Sequence, residues 1–298
     1  MEIGENETVN FDETAPLDSR FSPLRPIPLQ VEFGACSHLG NVRRNNEDHF
    51  AVIRRKRSRE VLLTNMPPED LSLQDDESYV LVVADGMGGA AFGEIASRLA
   101  LRTADELVGN VGHWITRLHD IEMRRTQDRI QTCADVIHQT LLEYGSADPR
   151  LTGMGTTLTC AHVLGADVII AHVGDSRAYH IREGRVQQVT RDQTLAQELM
   201  DAGMPWEETV RFRHILTNCF GGDARDVQTD VYQLRLQGGD SLLLCTDGLS
   251  DLIDDGDLAK ALELEATAQD ACDRLLRLAL GRGGKDNITV VLGRFQVG

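Results

Sequence analysis

Two aspartates of this chain stand where an apolar run of the sequence gives way to glycine. Asp85 follows the run 79–84 and opens the glycine-rich stretch 86–89, and Asp247 closes the run 241–246 before another glycine. A carboxylate beside bare backbone suits a hard divalent cation, which needs oxygen ligands and room to approach. Either motif alone also fits a turn in which the aspartate caps a helix. The repetition favours a cation site at the ends of two buried strands.

Two further aspartates extend this pattern. Asp286 and Asn287 come immediately before the apolar run 288–292, which predicts a strand. An acid at the start of a strand lies beside acids at the ends of its antiparallel neighbours, so Asp286 is expected near the first two aspartates. Asp175 lies in the Gly-Asp-Ser turn 174–176, and by itself this turn predicts an ordinary hairpin residue.

An arginine and two adjacent acids precede these four aspartates in the sequence, in the motif Arg43-x-x-Asn46-Glu47-Asp48. The planar guanidinium of arginine grips phosphate oxygens, which the acids alone would repel. A surface ion pair between the arginine and its acidic neighbours is the alternative interpretation. With the other acids, the arginine fits a phosphate-bearing ligand held beside bound cations.

The overall composition narrows the classes of partner. The 298 residues include 30 Lys and Arg against 47 Asp and Glu, a net charge of −17, which opposes binding to nucleic acid or to anionic lipid. Six well-separated cysteines without a Cys-x-x-Cys pair indicate reduced thiols rather than a zinc site. No apolar run approaches the roughly 20 residues of a membrane span, and the N-terminus lacks a secretory pattern, so we expect a cytoplasmic protein with no membrane partner.

Three segments differ from the rest of the chain. Residues 1–30 hold six acids and four of the eight prolines, which predicts a disordered tail, with a docking segment as the alternative. Residues 54–78 pass from a basic run to an acidic one and predict a loop insertion, whose basic run is a solvated hairpin tip or a docking patch. Residues 190–229, here called the flap, predict an appended lobe. The remainder of 31–298 is expected to form one domain.

Apolar periodicity predicts the elements of that domain. Strands are expected near 31–36, 49–53 and 79–84, followed by two long helices at 91–109 and 115–144. A four-strand meander is expected next, at 157–164, 167–173, 177–182 and 186–189. The last elements are expected to be strands at 230–236, 241–246 and 287–295 and helices at 256–264 and 267–280. This order indicates a β-rich domain with flanking helices.

The chain resembles the type 2C (PPM) family of metal-dependent protein Ser/Thr phosphatases, especially its bacterial-type members, over about residues 31–296. The resemblance rests on six motifs in family order: Arg43-x-x-Asn46-Glu47-Asp48, Ala84-Asp85-Gly86-Met87-Gly88-Gly89, Gly155-Thr156-Thr157, Gly174-Asp175-Ser176-Arg177, Thr246-Asp247-Gly248-Leu249 and Asp286-Asn287-Ile288-Thr289. It implies an α+β fold in which two antiparallel β-sheets are sandwiched between pairs of α-helices, with a flap subdomain.

The resemblance also implies a centre of two Mn²⁺ or Mg²⁺ ions, with a third and weaker ion beside it. Asp85 would bridge the two ions, and the Gly86 carbonyl would bind the second. Asp247 and Asp286 would hold the first ion, while Asp175 with Asp247 would hold the third. Such an all-oxygen ligand set favours Mn²⁺ or Mg²⁺ over Zn²⁺.

The other motif residues are implied to act around the ions. Glu47, Asp48 and Asn287 would orient bound waters. Arg43 would bind the phosphate and complete the catalytic set with Asp85 and Asp247. Two such ions supply a bridging hydroxide as the nucleophile and neutralise charge on the phosphoryl oxygens.

Two positions depart from the family pattern. Position 87 is Met where eukaryotic-type members carry a histidine proposed as general acid, and Met cannot donate a proton. His214 in the flap is a candidate replacement, and an exposed histidine without a role is the alternative. The flap begins with Thr-Arg-Asp-Gln-Thr at 190–194, where the family commonly has Asp-His-Ser, so substrate recognition there is expected to differ.

The predicted function is that of a metal-dependent phosphatase that hydrolyses phosphoserine and phosphothreonine in proteins. It would oppose a cognate Ser/Thr kinase and act as a monomer. A non-catalytic pseudophosphatase that only binds phosphoproteins is the first alternative, and a hydrolase of small phosphoesters is the second. The presence of Asp85, Asp247 and Asp286 favours catalysis, because pseudophosphatases typically lose one of these acids.

Overall fold

The computed structural model describes residues 29–57, 63, 76–88, 92–110 and 120–297. The predicted tail 1–30 lies outside this part of the chain, except that its last two residues begin the first strand and so belong to the folded body. Most of the predicted insertion 54–78 lies outside it as well. Among the described residues, no helix is long and apolar enough to cross a membrane.

The strands, in chain order, are β1 (Leu29–His38), β2 (His49–Arg57), β3 (Asp76–Ala84), β4 (Gly86–Met87), β5 (Gly155–Thr156), β6 (Leu158–Leu164), β7 (Asp167–Val173), β8 (Arg177–Arg182), β9 (Arg185–Gln188), β10 (Phe220–Gly221), β11 (Asp230–Arg235), β12 (Ser241–Cys245) and β13 (Ile288–Val297). The helices are α1 (Phe92–Asn110), α2 (Asp120–Ala147), α3 (Leu195–Asp201), α4 (Trp206–Thr209), α5 (Asp247–Ser250), α6 (Asp255–Leu264) and α7 (Ala268–Gly281).

The strands form two large antiparallel sheets and one small one. The first sheet has the order β1-β13-β12-β8-β9, the second has the order β11-β7-β6-β3-β2, and the small sheet joins β10, β5 and β4. Each described helix longer than two turns, apart from those of the flap, packs on an outer face. The result is the predicted α+β arrangement of two sheets between helix pairs.

Three apolar clusters separate the four layers. Leu81, Ala161 and Ile170 of the second sheet meet Leu244 and Val291 of the first sheet between the two sheets. A second cluster joins the first sheet to α6 and α7, and a third joins the second sheet to α1 and α2. Strand β3 is therefore covered on both faces, as its continuous apolar run predicts.

The predicted meander is wrong in one respect, because its four strands divide between the two sheets. β6 and β7 pair in the second sheet, whereas β8 pairs with β9 and β12 in the first. The chain crosses between sheets at the turn 174–176, where Gly174 has a φ of +108° that favours glycine. Asp175 is therefore a buried residue of a crossing and not a hairpin residue.

The predicted loop insertion 54–78 is shorter than expected. Its basic run extends β2 and its acidic end extends β3, so that Lys56 pairs with Glu77 and Arg57 with Asp76 across the ladder. The Lys56 ammonium lies 3.4 Å from the Glu77 carboxylate. Opposite charges on facing strands stabilise a pair of strands, which accounts for the longer hairpin.

The flap is anchored at both of its ends. Thr194 caps α3 through a hydrogen bond from the Gln197 backbone, and it forms a bridge with Leu216 across the flap. Phe220 and Val227 are buried in the cluster of α1 and α2. The last residues of the predicted flap thus belong to the body, because β10 pairs with β5.

Candidate metal centre and active site

The predicted acids converge at one end of the sandwich. Asp247 follows β12 and Asp286 precedes β13, and these two strands pair antiparallel in the first sheet, as predicted. Asp85 follows β3 in the second sheet, so the packing of one sheet on the other brings it to the same place. Asp85 interacts electrostatically with Asp48, Asp247, Asp175 and Asp286, which places all five carboxylates in one cluster.

The backbone of Asp85 is held by two threonines at β5. Its N–H donates to Thr157 Oγ1 at 3.0 Å, while its carbonyl accepts from Thr156 Oγ1 at 2.8 Å and from the Thr157 N–H at 2.9 Å. These bonds leave the Asp85 carboxylate free to face the other acids. The predicted Gly-Thr-Thr motif therefore positions a candidate ligand through its backbone.

Two carboxylate oxygens of the cluster are buried without a hydrogen-bond partner, namely Asp48 Oδ1 and Asp247 Oδ1. The other oxygen of Asp48 accepts from Thr246 Oγ1 at 2.8 Å. Buried carboxylate oxygens are rarely left unsatisfied in folded proteins. An orphaned pair among several acids fits cations as the missing partners.

The pKa values of these acids agree with that interpretation. Burial raises the pKa of Asp48 to about 7, against two hydrogen bonds from threonines that lower it. Burial, followed by repulsion from neighbouring carboxylates, raises the pKa of Asp247 to about 6. The same two causes raise the pKa values of Asp85 and Asp175 well above the ordinary range. The cluster is thus costly to ionise by itself, and positive charge placed among these acids would remove that cost.

Glycines let the backbone approach the cluster closely. A Cβ atom added to Gly86 would collide with the carbonyl of Gly93 in α1, and one added to Gly93 would lie 2.6 Å from Glu47 Oε2. One added to Gly248 would collide with the carbonyl of Asn287. Gly86 therefore admits no side chain where it packs against α1, and its carbonyl stays a predicted ligand.

Asn287 holds the loop that carries Glu47. Its side-chain oxygen accepts from the Glu47 N–H at 2.8 Å, and its Nδ2 donates to the carbonyls of Leu39 and Asn45 at 3.0 and 2.8 Å. Ser97 Oγ of α1 donates to the Glu47 carbonyl at 2.5 Å. Asn287 thus positions the acids of the loop through their backbone.

Arg43 lies at the mouth of the cluster. Its guanidinium donates to Asp286 Oδ2 at 2.6 Å, and the two side chains are 55% and 37% exposed. A guanidinium carries five N–H donors, so it can hold this carboxylate and still offer donors to a phosphate. The predicted phosphate-binding residue therefore lies beside a candidate metal ligand and within reach of solvent.

A cavity of about 200 Å³ separates the acids from the flap. Its lining includes Asp175 and Asp247 on the floor and Trp206, Arg213 and His214 from the flap. The His214 ring is 61% exposed, and one of its nitrogens lies within 4.8 Å of a carboxylate oxygen of Asp247. The structure thus brings the candidate general acid to the cluster.

Met87, in contrast, has a packing contact and no proton to donate. The Met87 methyl group lies 2.6 Å from the place where a Cβ on Gly155 would stand, so it packs on the small sheet.

Sequence reasoning missed the residues that surround Asp175. Asp251 follows Asp247 by four residues and forms an ion pair with Arg213 at 3.1 Å. Asp192 accepts a bidentate contact from Arg177, with the shortest distance at 2.6 Å. The spacing of four residues could have indicated Asp251, which caps the C-terminus of α5, because such residues share one face of a helix. Nothing local in the sequence pairs 177 with 192.

A sandwich of two antiparallel sheets between helices, with clustered carboxylates and an arginine at one end, defines a class of metal-dependent phosphate-ester hydrolases. The chain belongs to the protein phosphatase 2C family, whose model matches residues 62–292. The predicted family and the predicted enzyme class, a protein-serine/threonine phosphatase, are confirmed.

Individual relatives agree with this assignment. The serine/threonine phosphatase stp of Listeria innocua is 29% identical over 256 residues, which cover 85% of this chain and 91% of that protein. The structure of the S. agalactiae serine/threonine phosphatase is similar with a TM-score of 0.71 at 30% identity, covering 89% of this chain and 99% of that one. The catalytic domain of the phosphatase PstP, solved with two manganese ions, is similar with a TM-score of 0.69 at 29% identity, covering 90% and 99%.

Proposed function

We propose that this phosphatase hydrolyses phosphoserine and phosphothreonine in proteins at a centre of two Mn²⁺ or Mg²⁺ ions, held by Asp85, the Gly86 carbonyl, Asp247 and Asp286. The observation that carries the proposal is the buried cluster of carboxylates with raised pKa values, two of whose oxygens have no protein partner. The manganese ions bound by the related PstP domain support the choice of metal. Asp175 and Asp247 are proposed to hold a third, weaker ion.

The bound ions would supply a nucleophile from water at neutral pH and would neutralise charge on the phosphoryl oxygens. The chain's own residues perform the rest. Arg43 binds the phosphate at the mouth of the cluster, and its bond to Asp286 fixes the guanidinium in place. Asp48 and Glu47 orient waters, since Asp48 keeps one oxygen bonded to Thr246 and the other free.

His214 is proposed to protonate the departing serine or threonine oxygen. Arg213 Nε lies 3.2 Å from its Nε2, so Nδ1 is the nitrogen from which the imidazolium would give its proton, and the ring is left neutral. Nδ1 lies 3.9 Å from a carboxylate oxygen of Asp251, beyond hydrogen-bond distance, so its proton is not committed to that carboxylate. The cavity under the flap gives a substrate side chain access to this nitrogen.

Phosphorylated proteins are the proposed substrates, and a Ser/Thr kinase must supply them, because the reaction consumes a phosphate ester that only phosphoryl transfer creates. The alternative of a non-catalytic pseudophosphatase is not favoured, since pseudophosphatases typically lose one of three acids that are all present here and lie together. The monomeric state and the cytoplasmic location stay predictions.

The proposal is tested with a phosphoserine peptide and a small metabolite phosphate in parallel, each with Mn²⁺, with Mg²⁺ and with excess EDTA. We expect turnover of the peptide that is lost in EDTA and restored by Mn²⁺, and no turnover by Asp85→Asn. Faster turnover of the small phosphoester would favour the second alternative. Peptide binding without turnover under every metal condition would favour a pseudophosphatase.

A further inference from the structure

Gln193 in the flap pairs with both backbone groups of Gly174, the residue before Asp175. Its own N–H donates to the Gly174 carbonyl at 2.8 Å, and its side-chain Oε1 accepts from the Gly174 N–H at 2.7 Å. The side chain thus completes a bridge that in a strand pair would be made by backbone alone. Gln193 therefore holds the crossing turn from the side of the flap.

The remaining polar groups of Gln193 join two other segments to the same point. Its carbonyl accepts from the Thr217 N–H at 2.9 Å, and Oε1 accepts a second bond from Asn218 Nδ2 at 2.8 Å. Its Nε2 donates to Asp230 Oδ2 at 2.9 Å. Every donor type and acceptor of the residue is therefore used, and the flap, β11 and the Gly174 turn meet at it.

The other side of the turn contacts Thr157, which holds the backbone of Asp85 in the candidate metal centre. A Cβ atom added to Gly174 would lie 2.5 Å from Thr157 Cγ2, so the turn and Thr157 are in close contact. Thr157 Oγ1 accepts from the Asp85 N–H and bonds with Ser176 Oγ at 2.8 Å. The turn that carries Asp175 is thus held between Thr157 and Gln193.

We infer that Gln193 is a positioning residue that sets Asp175 for the weakest cation and ties that site to the flap. The inference rests on the proposed function, since it assumes that Asp175 binds an ion. An amide suits this position because it accepts from Gly174 and donates to Asp230 at once. Glutamate keeps the acceptor but not the donor, whereas Met keeps the shape and neither polar group.

The test measures binding of Mn²⁺ directly, by the electron paramagnetic resonance signal of the free ion during a titration. We expect wild-type protein to show tight sites and one weak class, and Asp175→Asn to lose the weak class. Gln193→Met loses three side-chain hydrogen bonds and should weaken only that class, by roughly tenfold for the loss of the one bond that holds Gly174 beside Asp175. Gln193→Glu combined with Asp230→Asn should stay within about threefold of wild type, because the pair retains the oxygen that faces Gly174 and exchanges the amide and the carboxylate at the other contact.

Two controls separate positioning from general damage. Gln187→Met alters an exposed glutamine of β9 and should leave the isotherm unchanged. A double variant of Asp175→Asn and Gln193→Met should bind Mn²⁺ as Asp175→Asn alone does. A merely structural role would lower the melting temperature of the metal-free protein without moving the isotherm.

The outcomes that overturn the inference differ from those that overturn the function. If Asp175→Asn removes the weak class and Gln193→Met leaves it intact, Gln193 does not position Asp175, and the phosphatase proposal stands. If Asp175→Asn leaves every class unchanged, the inference fails with the third ion, while the tight sites and the two-ion proposal remain. Absence of turnover with any metal would instead refute the proposed function.

Discussion

Replacing Asp247 by Asn is expected to abolish turnover and, in the metal-free protein, to stabilise the fold at alkaline pH. The substitution removes a charge and almost no volume. One oxygen of Asp247 is buried without a partner, and repulsion from other acids adds to the cost of ionising it. An amide carries no charge there, so that cost disappears. Asp247, a proposed cation ligand, is thus expected to destabilise the metal-free protein.

The size of the effect follows from the pKa. A value of about 6 in place of 3.8 corresponds to roughly 3 kcal/mol between the two protonation states. The pKa is higher in the folded state, so the penalty is absent below about pH 4 and complete above about pH 6. Asp247→Asn should therefore match wild type at pH 4 and exceed its free energy of unfolding by roughly 3 kcal/mol at pH 8.

The assay is urea denaturation in EDTA and reductant at pH 4, 6 and 8, followed by circular dichroism, with phosphopeptide turnover measured separately in Mn²⁺. At pH 8, saturating Mn²⁺ should reverse the order of stability, because only wild type retains the full set of ligands. Turnover by the variant should be absent at every Mn²⁺ concentration.

Asp240→Asn is the matched control, because Asp240 is a buried acid whose carboxylate has a cationic partner in Arg182. Its carboxylate accepts from Arg182 at 2.7 Å and from His180 at 3.0 Å, and these hydrogen bonds lower its pKa against the opposing effect of burial. A lowered pKa stabilises the fold above about pH 4, so this variant should be less stable by roughly 2–3 kcal/mol at pH 8. Asp247→Asn variants that were less stable than wild type at pH 8 in EDTA, or equally shifted at every pH, would refute the reasoning.

Two further predictions concern binding and proton transfer. Arg43→Ala should raise KM for a phosphopeptide by roughly 10- to 150-fold, the loss of a charge-assisted contact of about 1.5–3 kcal/mol, and a fall in kcat with KM unchanged would place Arg43 on the transition state instead. His214→Ala should slow a phosphoserine peptide by about 10²–10⁴ and spare p-nitrophenyl phosphate, whose leaving group needs no proton; equal rates of loss on both substrates would show that His214 is not the acid.

The sequence predictions are accurate for features that neighbouring residues determine, and they fail for features that depend on residues far apart in the chain. The long apolar runs and the periodicity near 91–109 and 267–280 predicted strands and helices within a few residues, because local pattern determines them. The insertion 54–78 was predicted too long, because the pairing of basic 54–57 with acidic 76–78 depends on strands that face each other. The meander failed at Gly174 for a similar reason.

The candidate site divides in the same way. Asp85, Asp247 and Asp286 could be found from sequence, because each carries its own marker of strand end and glycine. Their convergence could be expected for two of them, which flank paired strands of one sheet. The contacts of Gln193 and Asp251 could not be predicted from the sequence, because their partners lie far away along the chain.

By itself, the sequence determined which residues can hold cations, which runs are buried, and which family of motifs the chain carries, because these are properties of short segments. Only the tertiary structure decided that β3 faces β12 and β13 across the sandwich, and hence that Asp85 joins the other acids. It also decided that the flap meets the Asp175 turn at Gln193. The physical reason is that burial, pKa and hydrogen-bond satisfaction depend on which segments pack together, and packing is settled by the whole core at once.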